Sequence, residues 1–278
     1  EGFLPMVALA RLGAGGVQLE ALPHAVGKLA QLRHLLQAAP AVDVTQSPAP
    51  KPSSTAPVSD RKSIAVLAFT NMSADRDNEY FSDGIAEEIL NSLAKVKDLK
   101  VAGRTSSFSF KGKNQDLRAI GKALGVAHVL EGSVQKAGNQ VLINLQLIDG
   151  RNDEHLWARA YERTLDDIFG VAGEVAKLVA EALHAELSVA EAAAVASITT
   201  HDKEAYDRLL RSRFFLNQSN RSFDPADLDR SIELAREAVA LDPGYVDAWA
   251  TLALAQLKRR GPGAADEAEA SARRVLAL

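Results

Sequence analysis

Short apolar segments between residues 62 and 190 predict the strands of a sheet. Residues 64–69 form a continuous apolar run, which is typical of a strand buried on both faces. A shorter run follows at 99–102, and three longer segments lie at 126–135, 141–149 and 155–161. Because turn residues such as Gly138 and Asn139 separate the longer segments, these predict a meander of hairpins.

Apolar residues spaced three and four apart predict helices around these strands. Ser82 and Asp83 are expected to cap the first helix and Asn114 the second, which Gly125 should end in the left-handed conformation. A long helix is expected after the meander. The predicted order is therefore βαβαβββα. Helical crossovers followed by hairpins require a mixed sheet, so we expect an α/β domain at 62–190.

After residue 200 the pattern is helical throughout. The apolar spacing that begins at Tyr206 and Leu209 returns 43 residues later at Trp249 and Leu252, whereas the partner segments lie only 37 residues apart. We assign the difference to a longer first loop at 217–227. Residues 200–278 are thus predicted to form an all-α helical-repeat domain of two helix pairs.

The residues before this α/β domain are less regular. Five of the ten prolines fall between positions 40 and 57, which predicts a Pro/Ser-rich linker at 40–61. Residues 1–39 carry leucines at helical spacing. This pattern is compatible with a short peripheral helix or with a membrane-proximal segment. Because the chain begins with Glu1 and ends inside a helical pattern, we expect it to be part of a longer polypeptide.

Composition excludes several classes of site. The chain has 278 residues, a net charge of −4 and no cysteine, which excludes a disulfide scaffold, a thiol nucleophile and any Cys-ligated metal. The acidic balance argues against nucleic-acid binding by this region. The histidines show no metal-ligand spacing, and Ser106 and Ser107 lack the glycines of a nucleophile elbow. We therefore expect no enzyme activity, no metal and no cofactor.

One segment, 104–113, combines cations, hydroxyls and two phenylalanines. Its candidate ligand or partner contacts are Arg104, Thr105, Ser106, Ser107, Lys111 and Lys113. Such side chains could hold a phosphate or another anion, although the first glycine of a phosphate-binding loop is missing. There are two alternatives for this segment. It is a connector whose phenylalanines fill the core, or it is a surface that contacts a protein.

Three phrases within residues 62–187 resemble the TolB amino-terminal-like domain. They are Tyr80-Phe81-Ser82-Asp83-Gly84-Ile85, Arg104-Thr105-Ser106-Ser107-Phe108 and Leu130-Glu131-Gly132-Ser133-Val134. Ala68 stands where that family's proline is expected. The helical part resembles tetratricopeptide repeats, with packing roles for Tyr206, Leu209, Ala238, Pro243, Trp249 and Leu252. The resemblance implies a setting like that of bacterial membrane-bound transcriptional regulators and class III adenylate cyclases.

These observations favour a non-enzymatic sensing and protein-interaction region of a bacterial signalling protein. The α/β domain would serve for docking, and the inner helices of the repeats, beginning near Tyr206 and Val246, would line a groove for a protein partner. The alternative is binding of a small anion or nucleotide at 104–113, regulating a DNA-binding or adenylate cyclase domain elsewhere. The resemblance implies the periplasmic side of a membrane-anchored protein, with the cytoplasm as the alternative.

Overall fold

The computed structural model of this protein describes residues 62–113, 115–259 and 261–278. The predicted segment at 1–39, the predicted linker at 40–61 and the predicted cap at Asn114 lie outside the described residues. The described ranges comprise the sheet domain and the helices after it.

A mixed six-stranded sheet forms the first half of the described chain. Its strands are β1 (Ser63–Val66), β2 (Thr70–Asn71), β3 (Lys100–Val101), β4 (His128–Ala137), β5 (Gln140–Asp149) and β6 (Glu154–Thr164). The order across the sheet is β3-β1-β4-β5-β6, and the short β2, which the sequence did not predict, pairs with β4. β1 runs parallel to β3 and β4, whereas β4, β5 and β6 form the antiparallel meander. The prediction of a mixed α/β sheet is confirmed.

Nine α-helices accompany the sheet in the described residues. In the sheet domain they are α1 (Glu79–Leu93), α2 (Arg104–Phe108), α3 (Leu117–Leu124), α4 (Val171–Ala182) and α5 (Val189–Ala196). The C-terminal part contains α6 (Lys203–Ser222), α7 (Pro225–Leu241), α8 (Val246–Arg259) and α9 (Ala264–Ala277). α6 packs on α7, α7 on α8 and α8 on α9, so the second half consists of two consecutive helical hairpins.

Two predicted helix starts differ from the structure. Ser82 and Asp83 do not cap α1 but lie buried within it, because a 3₁₀ turn at Arg76–Asn78, capped by Asp75, leads directly into the helix. The second predicted helix corresponds to α3, which is capped by Asp116, whose side chain accepts a hydrogen bond from the Arg118 amide, and it ends as predicted at Gly125 (φ 63°). Local sequence therefore located the helices better than it located their first residues.

The predicted loop at 217–227 is also wrong. α6 continues to Ser222, and only Phe223 and Asp224 separate it from α7. Phe223 has a left-handed backbone (φ 56°), and the Asp224 side chain caps α7 by accepting a hydrogen bond from the Ala226 amide. The extra residues of the first hairpin thus lengthen a helix instead of a loop.

Two hydrophobic cores meet at α6. The larger core lies between one face of the sheet and helices α1 and α4, and it includes Tyr206 and Leu210 of α6. The smaller core lies among the helical hairpins and includes Leu209 and Leu216 of the same helix. α6 therefore contributes buried side chains to both cores, and it fixes the hairpins on the sheet domain.

Candidate functional site at the junction of the sheet domain and the hairpins

The surface of α1 that faces α6 is built from residues four apart. Tyr80, Gly84 and Glu88 lie on one side of α1 because four residues make slightly more than one helical turn. A Cβ atom on Gly84 would lie 2.8 Å from Cδ2 of Leu210, so the glycine allows the two helices to approach closely. We call the contact between these side chains and α6 the α1–α6 junction.

At one end of the α1–α6 junction, Tyr80 meets a charged cluster. Its hydroxyl donates a hydrogen bond to Asp207, which also accepts one from Arg211 Nε at 2.7 Å and lies 3.2 Å from Lys136 Nζ. The Arg211 guanidinium lies 4.2 Å from the centre of the Tyr80 ring. Burial and the hydrogen bond to Asp207 raise the pKa of Tyr80, so its hydroxyl keeps its proton and acts as a donor.

At the other end, two adjacent glutamates of α1 receive donors from different elements. Glu88 Oε2 accepts a hydrogen bond from the Tyr206 hydroxyl at 2.9 Å, and its Oε1 lies 3.5 Å from Arg213 Nη1. Glu87 Oε2 accepts one from Arg104 Nε at 2.6 Å and one from Asn217 Nδ2 at 3.4 Å. These contacts connect α1 with α2 on one side and with α6 on the other.

The segment between α5 and α6, which connects the sheet domain with the hairpins, is hydrogen-bonded to the hairpins. The Thr200 hydroxyl donates to Asp242 Oδ2 at 2.7 Å, and the Thr199 hydroxyl donates to Asp247 Oδ2 at 3.3 Å. Asp202 then caps α6 through the amides of Glu204 and Ala205. The segment that enters α6 is therefore tied to the turn between α7 and α8 and to the start of α8.

The six side chains predicted at 104–113 do not converge on one point. Lys111 Nζ lies 2.6 Å from Asp83 Oδ1 and 2.5 Å from Glu79 Oε1, and Arg104 is paired with Glu87 as described. Thr105 and Ser106 are exposed, and Ser107 is buried. Lys113 is also exposed, with Nζ 5.7 Å from the centre of the Phe110 ring. Two of the three cations are thus neutralised by carboxylates of α1.

The positive charge of Lys111 does not cancel the effect of burial on the pKa of Asp83. Burial raises the pKa of Asp83 even though Lys111 and Arg104 act in the opposite direction. The pair is a partly buried contact that holds Lys111 against α1.

The residues predicted to pack the repeats have two different environments. Leu209, Ala238 and Leu252 are buried in the core of the hairpins. Trp249 packs at the edge of this core and donates from Nε1 to the carbonyl of Pro243 at 3.0 Å. Tyr206 instead packs against the sheet domain, with its ring 5.3 Å from that of Phe169. α1 consequently covers part of the face of α6 that was expected to line a partner groove.

Two negative observations apply to the described residues alone. In these ranges, no group of three His, Asp or Glu side chains is placed to hold a metal ion. No helix among them has both the length and the apolar character needed to cross a bilayer.

Comparison by sequence finds a relative with a longer chain. The chain is 43% identical over 197 residues to the protein named "Putative adenylate cyclase 3" from Rhizobium meliloti (strain 1021). The match covers 71% of this chain and 33% of that protein, so the chain spans about a third of the relative's length. No family profile matches the chain.

Comparison by structure finds partial likenesses to bacterial proteins. TolB from Acinetobacter baumannii gives a TM-score of 0.32 at 16% identity, covering 44% of this chain and 28% of TolB. Lipoprotein GNA1162 from Neisseria meningitidis gives a TM-score of 0.33 at 19% identity, and the match covers 46% of this chain and 99% of the lipoprotein. The LpoB C-terminal domain from Salmonella enterica gives a TM-score of 0.32 at 16% identity, and the match covers 39% of this chain and 86% of that domain. None of these values assigns the chain to a family.

Proposed function

We propose that this region is a non-catalytic regulatory unit of a bacterial signalling protein. In this proposal the sheet domain and the helical hairpins move as one body, which receives a protein partner and passes the signal to an effector elsewhere in the polypeptide. The observation that carries the proposal is the position of α6, whose Tyr206 and Leu209 are buried in different cores. A helix shared in this way transmits displacement because neither core can move without the other.

The effector that we propose is a nucleotide cyclase domain. The support is the sequence identity to a longer protein whose name includes adenylate cyclase. A DNA-binding effector, which the resemblance to membrane-bound regulators also suggests, is the alternative. Chemical analysis of the product formed from ATP by the full-length protein distinguishes the two.

We propose that the protein partner contacts the hairpins at α8 and α9. Part of the inner face of α6 is covered by α1, as the contacts of Glu88 with Tyr206 and Arg213 show. Leu257 of α8 and Leu276 of α9 are large apolar side chains that remain exposed. Exposed apolar side chains of this kind are suited to helix–helix contact with another protein.

The decisive experiment compares the output of the full-length protein with and without an intact α1–α6 junction. Arg213→Met removes the partner of Glu88, and Arg230→Met, which breaks an exposed pair with Glu233 on α7, is the matched control. We expect cyclic AMP formation to change by at least about fivefold in Arg213→Met, within the usual range of coupling energies. The control should match the wild type.

Equal output from both variants at equal protein levels would contradict the regulatory role of the junction. Absence of any cyclic nucleotide from the full-length wild-type protein would contradict the proposed effector.

Anion or nucleotide binding at 104–113 remains the second candidate. The exposed Thr105, Ser106 and Lys113 favour it, whereas the ion pairs of Arg104 and Lys111 make it the weaker of the two. Calorimetry with a panel of nucleotides tests it. Micromolar binding that is lost in Arg104→Ala would favour this candidate over protein interaction.

We further propose that the region lies on the periplasmic side of a membrane-anchored protein, in keeping with the resemblance to the TolB amino-terminal-like domain. A fusion of alkaline phosphatase to the end of α9 tests this in cells, because that enzyme becomes active only after export. An inactive fusion that is present in normal amounts would favour the cytoplasm.

A further inference from the structure

Two carboxyl groups share one guanidinium where α1, α6 and α8 meet. Arg213 Nη1 lies 3.5 Å from Glu88 Oε1, and Arg213 Nη2 lies 3.7 Å from Asp247 Oδ2. Arg104 does not balance the extra charge, because it is already paired with Glu87 at 2.6 Å. The cluster consists of the carboxyls of Glu87, Glu88 and Asp247 and the guanidiniums of Arg104 and Arg213. When all three carboxyls are ionised, it carries one more negative charge than positive charge.

Of the two carboxyls that contact Arg213, Glu88 is the more enclosed. Its side chain is 18% exposed, compared with 41% for that of Asp247. The Tyr206 hydroxyl donates to it, and the buried ring of Tyr245 lies at the start of α8. The ring of Phe169 lies near both Tyr206 and His201, with its centre 5.3 Å and 6.1 Å from theirs.

This arrangement favours a neutral Glu88. Burial raises the pKa of Glu88 to about 7, and the negative charges of Asp247 and Glu87 act in the same direction. Arg213 and the Tyr206 hydroxyl oppose the increase without cancelling it. Asp247 is the more exposed of the two carboxyls that contact Arg213, so a neutral Glu88 still leaves Arg213 with a carboxylate neighbour.

We propose that the meeting point of α1, α6 and α8 is a proton-binding site, at which Glu88 takes up a proton near neutral pH and so strengthens the α1–α6 junction. The pKa of glutamate in an unfolded chain, 4.5, lies below the value in the junction. The folded state therefore binds more protons than the unfolded state between these values. The resulting stabilisation is complete below about pH 4.5 and is lost as the pH rises through about 7.

The direct test is a carbon-13 NMR titration of the glutamate side-chain carboxyls in the full 278-residue chain. Loss of one signal in Glu88→Gln assigns the resonance. We expect the Glu88 signal of the wild type to titrate with a midpoint near pH 7. A midpoint below about pH 5, the range of ordinary glutamates, would overturn the proposal.

Asp247→Asn tests whether the sharing of Arg213 is the cause. The asparagine oxygen can still accept the hydrogen bond of Thr199, but Arg213 is left with Glu88 as its carboxylate partner. The Glu88 midpoint should then fall by about one pH unit. Glu237→Gln, which breaks an exposed pair between α7 and Arg208, should leave the midpoint unchanged. An unchanged midpoint in Asp247→Asn would contradict the shared pair.

Hydrogen exchange along α6 shows whether proton release loosens the junction. Between pH 6 and pH 8, after correction for intrinsic exchange, wild-type α6 should lose roughly tenfold in protection. In Glu88→Gln, whose side chain is neutral at every pH, the protection of α6 should change little over the same range. The same pH dependence in both proteins would contradict the link to stability. None of these measurements uses the effector, so their failure is distinct from failure of the proposed function.

Discussion

Gly132 is a position in β4 at which no side chain fits. A Cβ atom there would lie 2.5 Å from the backbone oxygen of Asn144 and 2.7 Å from Cδ2 of Leu145. The backbone oxygen cannot move without disturbing the ladder between the two strands. The glycine of the Leu130–Val134 phrase thus has a steric role in the sheet.

We expect Gly132→Ala to destabilise the protein by about 3 kcal/mol, the upper end of the usual cost of overpacking. Urea unfolding followed by circular dichroism measures the change. Gly170→Ala is the matched control, since nothing lies within 4 Å of a Cβ at Gly170 and its backbone is helical. The control should stay within about 0.5 kcal/mol of the wild type. Equal stability of the two variants would show that the strands can adjust.

Single residues were predictable where the local backbone decides their role. Gly125 was correctly assigned to a left-handed helix end because the conformation itself selects glycine. Asp83 was wrongly assigned as a cap because a side chain that can cap a helix can equally be buried inside one when a partner such as Lys111 is available. The partner is distant in sequence, so the local pattern does not reveal it.

Among the elements, α6 has the least usual distribution of apolar residues. The adjacent side chains of Leu209 and Leu210 are both buried, yet they belong to different cores. A helix that packs on one side only presents a single apolar stripe. The second stripe of α6 is therefore the signal in the sequence that indicates the junction.

Leu209→Ala and Leu210→Ala should therefore cost similar amounts of stability, about 2–5 kcal/mol each, as is usual for buried leucines. Chemical denaturation of the two variants measures the cost. Leu257→Ala, at a side chain that is 57% exposed, is the control and should change stability little. A marked cost for Leu209→Ala with none for Leu210→Ala would mean that the sheet domain does not depend on α6.

The sequence could predict the elements better than the contacts between them. Periodicity identified the meander and the four helices of the hairpins, because each depends on residues close in the chain. The pairing of Glu88 with Arg213 joins residues 125 positions apart, and no pattern within either segment indicates it. The first part of the expected loop at 217–227 is helical up to Ser222 for a related reason, since Leu216 packs in the hairpin core and Asn217 contacts Glu87.

At the scale of the whole molecule, the shared helix predicts that both halves unfold together. The chain has two tryptophans, Trp157 on β6 and Trp249 on α8, so each half carries its own fluorescent reporter. Trp157→Phe and Trp249→Phe isolate these reporters in turn. We expect coincident urea transitions, as in a two-state system.

Two separated midpoints, with each reporter following its own half, would contradict the single body. Arg213→Met provides a further check, because Arg213 contacts both Glu88 of α1 and Asp247 of α8, and its loss should shift both transitions together.

The double burial of α6 also limits where this polypeptide can be cut and rejoined. A sheet domain excised after Ala196 would lack Tyr206 and Leu210, while one that kept α6 alone would leave Leu209 bare unless α7 came with it. The smallest block suitable for transplantation into a chimaera therefore starts at β1 and ends no earlier than Leu241. Recombination breakpoints between relatives of this protein should fall outside that block.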